Sequence, residues 1–188
     1  MAAGDYFRPD GAKKTHGEAL SGMDFGGRYL FGARRGDVWG ALNDTDILRA
    51  VIPGCEYIAW TGPHTLDLSI RVHLGLVRPV FAGDLTLSNV RPAESYTLAG
   101  RGRGGVLGLA QGAADITLAD AEGGTLLVFA AAGKADGGVM RLGRALIGRS
   151  AQRVIDGFFE SIGREMGAGV TALSPPEPSA DFDQTFKN

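Results

Sequence analysis

The chain has 188 residues, 44% of them apolar and 21% charged, with a formal net charge of −2. This length allows one domain with a substantial core, and the charge balance excludes nucleic acid as the default partner. A single cysteine, Cys55, excludes an intramolecular disulfide and fits a reducing compartment; no apolar run approaches the ~20 residues of a membrane-spanning helix, and no signal segment opens the chain, so a cytoplasmic protein is expected.

Residues 1–22 are polar and aperiodic and read as a flexible N-terminal extension. The folded domain is expected over 23–168, and 169–188 reads as a disordered acidic, proline-containing tail. Within that tail Phe182 and Phe186 are candidate docking residues. A first strand is expected at about 24–34. Val38, Trp39 and Leu42 then recur at helical spacing, as do Ile47, Leu48 and Val51. Asp44 or Thr45 can cap the second piece, and Pro53-Gly54 ends it. Two short helices over 35–51, broken at Asn43-Asp44, therefore precede the next strand.

Six more strands are expected at about 54–61, 64–76, 79–91, 94–104, 106–119 and 124–135. Leu66, Leu68, Ile70, Val72, Leu74 and Leu76 alternate with Asp67, Ser69, Arg71 and His73; Phe81, Leu85 and Leu87 alternate with Asp84, Thr86 and Ser88. Short turns such as Thr61-Gly62-Pro63 and Glu122-Gly123-Gly124 favour an antiparallel meander. Of the 30 glycines many fall inside strands, among them Gly75, Gly83, Gly100, Gly102, Gly104, Gly108, Gly112 and Gly133, which points to a strongly bent sheet.

A helix over about 137–166 is the element able to cover such a sheet. Val139, Met140, Leu142, Leu146, Ile147, Val154 and Phe158 share one arc with the small residues Gly143, Ser150 and Ala151. Small residues there allow either close packing or a gap for a ligand. Arg141, Arg144, Arg149, Arg153 and Gln152 occupy the opposite arc, and Phe159 falls toward it. Such a basic face with an exposed aromatic can contact an anionic membrane surface or a partner, or be an ordinary solvated face.

Few motifs carry chemistry. GRGRGG, Gly100–Gly105, has the glycine density of a phosphate-binding loop, but a strand pattern follows where a helix is needed. Arg101 and Arg103 are candidates for the mouth of a cavity. His16, His64 and His73 form no ligand cluster, so no metal is expected. Cys55 reads as a buried, inert thiol, and no nucleophile elbow is present, so no catalytic residues are assigned. Asp84 should be solvated, whereas Gln111 or Asp115, if turned inward, would be a polar handle inside an apolar cavity.

The run VWGALNDTDILRAVIPGCE resembles the carbon monoxide dehydrogenase G-subunit family of the START-like (SRPBCC) superfamily. VHLGLVRPVFAG, GRGRGGVLGLAQGAADITL and GTLLVFAAAGKADGGVMRLGRALIGRSAQRVIDGFF are similar to that family's central hairpin, Gly-rich hairpin and final strand with helix. The resemblance covers about Met23 to Met166. It implies an α+β helix-grip fold, a curved seven-stranded antiparallel sheet around a long C-terminal helix, with an apolar cavity between them. It further implies an accessory protein of an aerobic molybdenum-containing carbon monoxide dehydrogenase or related hydroxylase. Such a protein would bind a lipophilic ligand, a quinone or lipid, with no covalent cofactor. It would link the oxidase to the inner face of the cytoplasmic membrane through transient contact. The short acidic tail of this chain contains no apolar anchor.

Combined with the strand patterns, this places Ile70, Val72, Leu74, Phe81, Leu85, Gln111, Phe129, Leu142, Leu146 and Phe158 around the ligand. Arg141, Arg144, Arg149, Arg153 and Phe159 are the expected membrane or partner contacts. Two alternatives stay open: a ligand-free recruitment or maturation factor, and an enzyme resembling the cyclases and aromatases of the superfamily.

Overall fold

A computed structural model describes residues 23–71, 78–105, 108–135 and 138–173, with the backbone alone for 23–24 and 134–151. The elements in chain order are β1 (Met23–Phe31), α1 (Arg35–Asn43), α2 (Thr45–Val51), β2 (Cys55–Gly62), β3 (Thr65–Arg71), β4 (Val80–Arg91), β5 (Ser95–Arg103), β6 (Leu109–Ala121), β7 (Gly124–Ala135), α3 (Gly138–Glu165) and β8 (Val170–Leu173). The strands form one antiparallel sheet in the order β2-β3-β4-β5-β6-β7-β1-β8.

The sheet thus has 8 strands where seven are expected, and the extra one lies in the stretch assigned to the disordered tail. Val170–Leu173 pairs with Arg28–Phe31. Four residues are too few for alternation to stand out, and it is the free edge of β1 that makes them a strand. Gly167, at φ 69°, turns the chain out of α3, and the Ala168 N–H closes the turn on the Gly163 carbonyl at 2.7 Å.

The break between α1 and α2 falls at the expected residues. Asp44 is the cap: its Oδ1 accepts from the N–H of Asp46 at 2.8 Å and of Ile47 at 3.2 Å, satisfying two donors that a helix start leaves free. After Pro53, Gly54 adopts φ 75°, and its carbonyl accepts from the Arg71 N–H at 2.8 Å, which sets the start of the β2–β3 pair. The glycine-rich stretch is a hairpin: β5 pairs with β6, and the Gly104 N–H bonds the Gly108 carbonyl at 3.0 Å.

Alternation sends Tyr29, Phe31, Leu66, Leu87, Ile116, Leu118 and Leu127 to one face, where Val38 and Leu42 of α1 and Leu48 and Val51 of α2 also bury. The described half of α3 is rotated from its expected setting. Val154, assigned to the apolar arc, is 54% exposed, whereas Phe159, assigned to the polar arc, is 6% exposed. Ile155, Phe159, Ile162 and Met166 make the packed stripe instead. A polar pairing accompanies this rotation: the Tyr29 hydroxyl donates to Asp156 Oδ1 at 2.5 Å, and Gln152 Nε2 donates to the same oxygen at 2.8 Å. With Gln152 and Asp156 turned to the sheet, Phe159 follows them inward, because positions three to four apart share a helix face. Its ring lies 4.4 Å from that of Tyr29 and 5.5 Å from that of Phe129, centroid to centroid.

Candidate ligand-binding site

The packed face of the sheet leaves two neighbouring apolar spaces that share part of their wall. The wider, of 390 Å³, is bordered by Phe25, Leu68, Ile70, Phe81, Leu85 and Leu98, by a series of glycines and alanines, and by Asp84, Arg101 and Gln111. The more enclosed, of 280 Å³, is bordered by residues of α1 and α2, by Ile58, Leu66, Leu87, Tyr96 and Ile116 of the sheet, and by Ile155, Phe158 and Phe159 of α3. Leu85, Leu98, Ala114 and Ala131 border both, so they form a shelf shared by the two lobes.

Strand register explains the floor. Leu85, Gly100, Gly112 and Gly133 lie side by side on four adjacent strands, and Leu87, Leu98, Ala114 and Ala131 form the next inward row. Along these rows the sheet presents almost bare backbone. Two of the glycines are not forced by their neighbours. Among the described residues, a Cβ on Gly102 would meet nothing closer than 3.9 Å, and one on Gly133 nothing closer than 3.5 Å. Interiors are ordinarily close-packed, so unfilled room above such positions is room for another molecule.

Of the residues expected around a ligand, Ile70, Phe81 and Leu85 border the wider lobe, and Phe129 and Phe158 the enclosed one. Val72 and Leu74 lie outside the described residues, as do the side chains of Leu142, Leu146, Arg141, Arg144 and Arg149. Gln111 is exposed and paired across the sheet with Arg101, so its side chain belongs to the outer face and only its main chain borders the lobe. Asp115 has the same parity and accepts from the Thr97 hydroxyl at 2.7 Å on that outer face. Neither is the inward polar handle. Arg101 also faces outward, 3.9 Å from Asp84, and Arg103 is exposed two residues on. Arg153 is exposed as expected, but Phe159 is sealed in the core and cannot be a surface contact in this conformation.

Sequence reasoning missed three polar side chains close to the cavity. Tyr96 borders the enclosed lobe, where burial pushes its hydroxyl up to about 12. Asn43, the last residue of α1, borders it too. Tyr29 stands behind Phe129 and Phe159, its ionisation driven well above the usual tyrosine range by burial first and then by the Asp156 carboxylate. The parity that puts Leu98, Gly100 and Gly102 inward also puts Tyr96 inward, so that signal was present. Cys55 is half-buried, its Sγ donating to the Tyr57 carbonyl at 3.4 Å, and burial raises its thiol pKa. Among the described residues no cluster of His, Cys, Asp or Glu is placed to hold a metal, and no helix is long and apolar enough to cross a membrane.

A family model for the G-subunit of carbon monoxide dehydrogenase (CoxG) matches residues 27–167. The chain belongs to the CoxG family. Membership supports an accessory role in the carbon monoxide dehydrogenase system. This CoxG-family chain also resembles solved structures in fold. A conserved protein from Geobacillus kaustophilus aligns at TM-score 0.70 and 22% identity, over 79% of this chain and 99% of its own. A protein from Rhizobium leguminosarum aligns at TM-score 0.61 and 14% identity, over 78% of this chain and 95% of its own. The Zhui aromatase/cyclase from Streptomyces sp. R1128 aligns at TM-score 0.56 and 13% identity, over 78% of this chain and 94% of its own. At these identities the likeness is one of fold. No curated protein matches the chain.

Proposed function

We propose that this CoxG-family protein carries a lipophilic molecule, a quinone or lipid, for an aerobic molybdenum-containing carbon monoxide dehydrogenase or related hydroxylase, and brings that oxidase to the membrane. The observation that supports this reading is the pair of adjoining spaces, 390 and 280 Å³, bordered mostly by apolar side chains and bare backbone. Ligand sites commonly span ~300–1,000 Å³ with few polar groups, and this one lies in that range. Exposed Arg153 and Val154, adjacent on α3, supply a basic and an apolar contact for brief approach to an anionic lipid surface.

A cyclase-like enzyme is the weaker reading. Proton transfer to a bound substrate needs an acid or base within reach, and the described lining of the enclosed lobe offers no carboxylate or histidine. The test is native mass spectrometry of protein purified gently from its own host, followed by solvent extraction. A stoichiometric lipophile is the expected result. An empty protein that takes up neither quinones nor lipids when they are added back would replace the carrier with a ligand-free recruitment factor.

A further inference from the structure

Among the described residues bordering the enclosed lobe, Tyr96 has a side-chain hydroxyl with no hydrogen-bond partner. Tyr96 is 7% exposed, borders the lobe, and is held edge-on by Trp39 with ring centroids 5.3 Å apart. Its hydroxyl makes no hydrogen bond to a described residue; desolvation alone shifts its ionisation. No fully sealed side-chain nitrogen or oxygen lacks a partner among the described residues, so this hydroxyl keeps some accessible surface, and its residue borders the lobe.

The neighbouring donors are wholly or partly engaged elsewhere, Asn43 keeping the second N–H of its amide. Asn43 Nδ2 donates to the Trp39 carbonyl at 2.8 Å, and Trp60 Nε1 donates to the Asn43 carbonyl at 3.3 Å. The Tyr29 hydroxyl donates to Asp156 and lies behind aromatic rings. Among the described residues bordering the enclosed lobe there is no lysine, arginine or histidine, so these residues offer a carboxylate or phosphate head no counter-charge for its desolvation. A neutral oxygen acceptor has no such penalty.

We propose that the Tyr96 hydroxyl anchors the ligand by donating a hydrogen bond to it, and that the ligand is a neutral lipophile bearing a carbonyl-type acceptor at its buried end. The apolar remainder crosses the shelf of Leu85, Leu98, Ala114 and Ala131 and lies on the glycine floor of the wider lobe. This rests on the reading of the cavity as a carrier site, and it replaces Gln111 as the polar handle.

The test uses two probes on the full chain: a 1,4-naphthoquinone bearing an isoprenoid chain, and the corresponding naphthalene hydrocarbon without carbonyls. Binding is read by quenching of tryptophan fluorescence, Trp39 being in contact with Tyr96. Both probes should bind the native protein. Tyr96→Phe, which retains the ring, should weaken the naphthoquinone about tenfold and leave the hydrocarbon unchanged, in line with the loss of one buried hydrogen bond. In the native complex the infrared carbonyl band should shift to lower frequency than in hexane, a readout that does not depend on the variant folding. An unshifted band, or equal naphthoquinone binding by Tyr96→Phe, overturns the anchor while leaving the cavity as a carrier site. If neither probe binds the native protein, the carrier reading and the anchor both fall.

Discussion

Gly83 and Gly102 face each other across β4 and β5, and each lacks a side chain for a different reason. A Cβ on Gly83 would collide with the Arg101 carbonyl oxygen, whereas one on Gly102, at the border of the wider lobe, would touch nothing of the described residues closer than 3.9 Å. Gly83→Ala should therefore lower stability by about 2 kcal/mol, as overpacking commonly does, while Gly102→Ala should stay within about 0.5 kcal/mol of the native protein. Urea denaturation of the two variants checks this, and equal losses would mean that the floor is set by packing alone. Cys55 makes a second contrast at this scale. Its thiol is half-buried and its pKa raised, so the thiolate that reacts is scarcer at neutral pH than in an exposed cysteine. Alkylation by iodoacetamide should be slower than for a free peptide thiol at pH 7 and should climb steeply toward pH 10. A rate at neutral pH matching the free thiol would count against that placement.

At the scale of elements the decisive feature is the rotation of α3. Phe159→Ala should destabilise by about 3–5 kcal/mol, the range for large aromatic truncations in a core, and Val154→Ala by less than about 0.5 kcal/mol. The arcs drawn from the sequence would reverse that order, so thermal melts of the two variants decide between them. The same helix contact has a pH signature. Tyr29 binds its proton more tightly in the folded protein than in the unfolded chain, where its pKa is near 10, and Tyr96 does likewise. The unfolded chain then releases these protons first as pH rises, so their contribution to stability is intact below pH 10 and is lost above it. Tyr29→Phe should flatten the fall in stability between pH 10 and 12, measured by denaturant midpoints. Much of this architecture was legible beforehand. Period-two alternation placed β1 to β7 within a few residues, and Asp44 with Pro53-Gly54 marked the helix pair. What alternation does not reveal is which of two adjacent helix stripes the sheet accepts, because Phe158 and Phe159 are equally apolar. That choice depends on Tyr29 meeting Asp156, 127 positions away in sequence. The extra strand β8 and the outward turn of Gln111 were likewise set by partners: the β1 edge, and a register held by Arg101.

For the molecule as a whole, the question is why an 8-stranded sheet and its helices leave a cavity at their centre. Unfilled apolar space lowers stability, since the atoms lining it lose contacts they would otherwise make. A protein selected only to fold would place larger side chains on the shelf. Ala131 is the position that tests this, because it borders both lobes and lies in register with Ala114 and Phe25. Leucine there adds three carbons to space that is already open, and each buried methylene contributes roughly 0.8 kcal/mol before strain is subtracted. Ala131→Leu should therefore raise the stability of the ligand-free protein by about 1 kcal/mol or leave it unchanged. The same variant should lose most of its capacity for the naphthoquinone probe and for any lipophile that copurifies with the native chain, because the shelf that the two lobes share is filled. A rise in stability together with a loss of binding would mean that the cavity is maintained at the expense of the fold for the sake of an occupant. If Ala131→Leu instead lost several kcal/mol, the shelf would already be packed to its limit, and the two lobes would be separate packing defects too small to share a ligand. Stability and probe capacity measured on the same preparation separate these cases, because a carrier site predicts opposite signs for the two quantities and a packing defect does not.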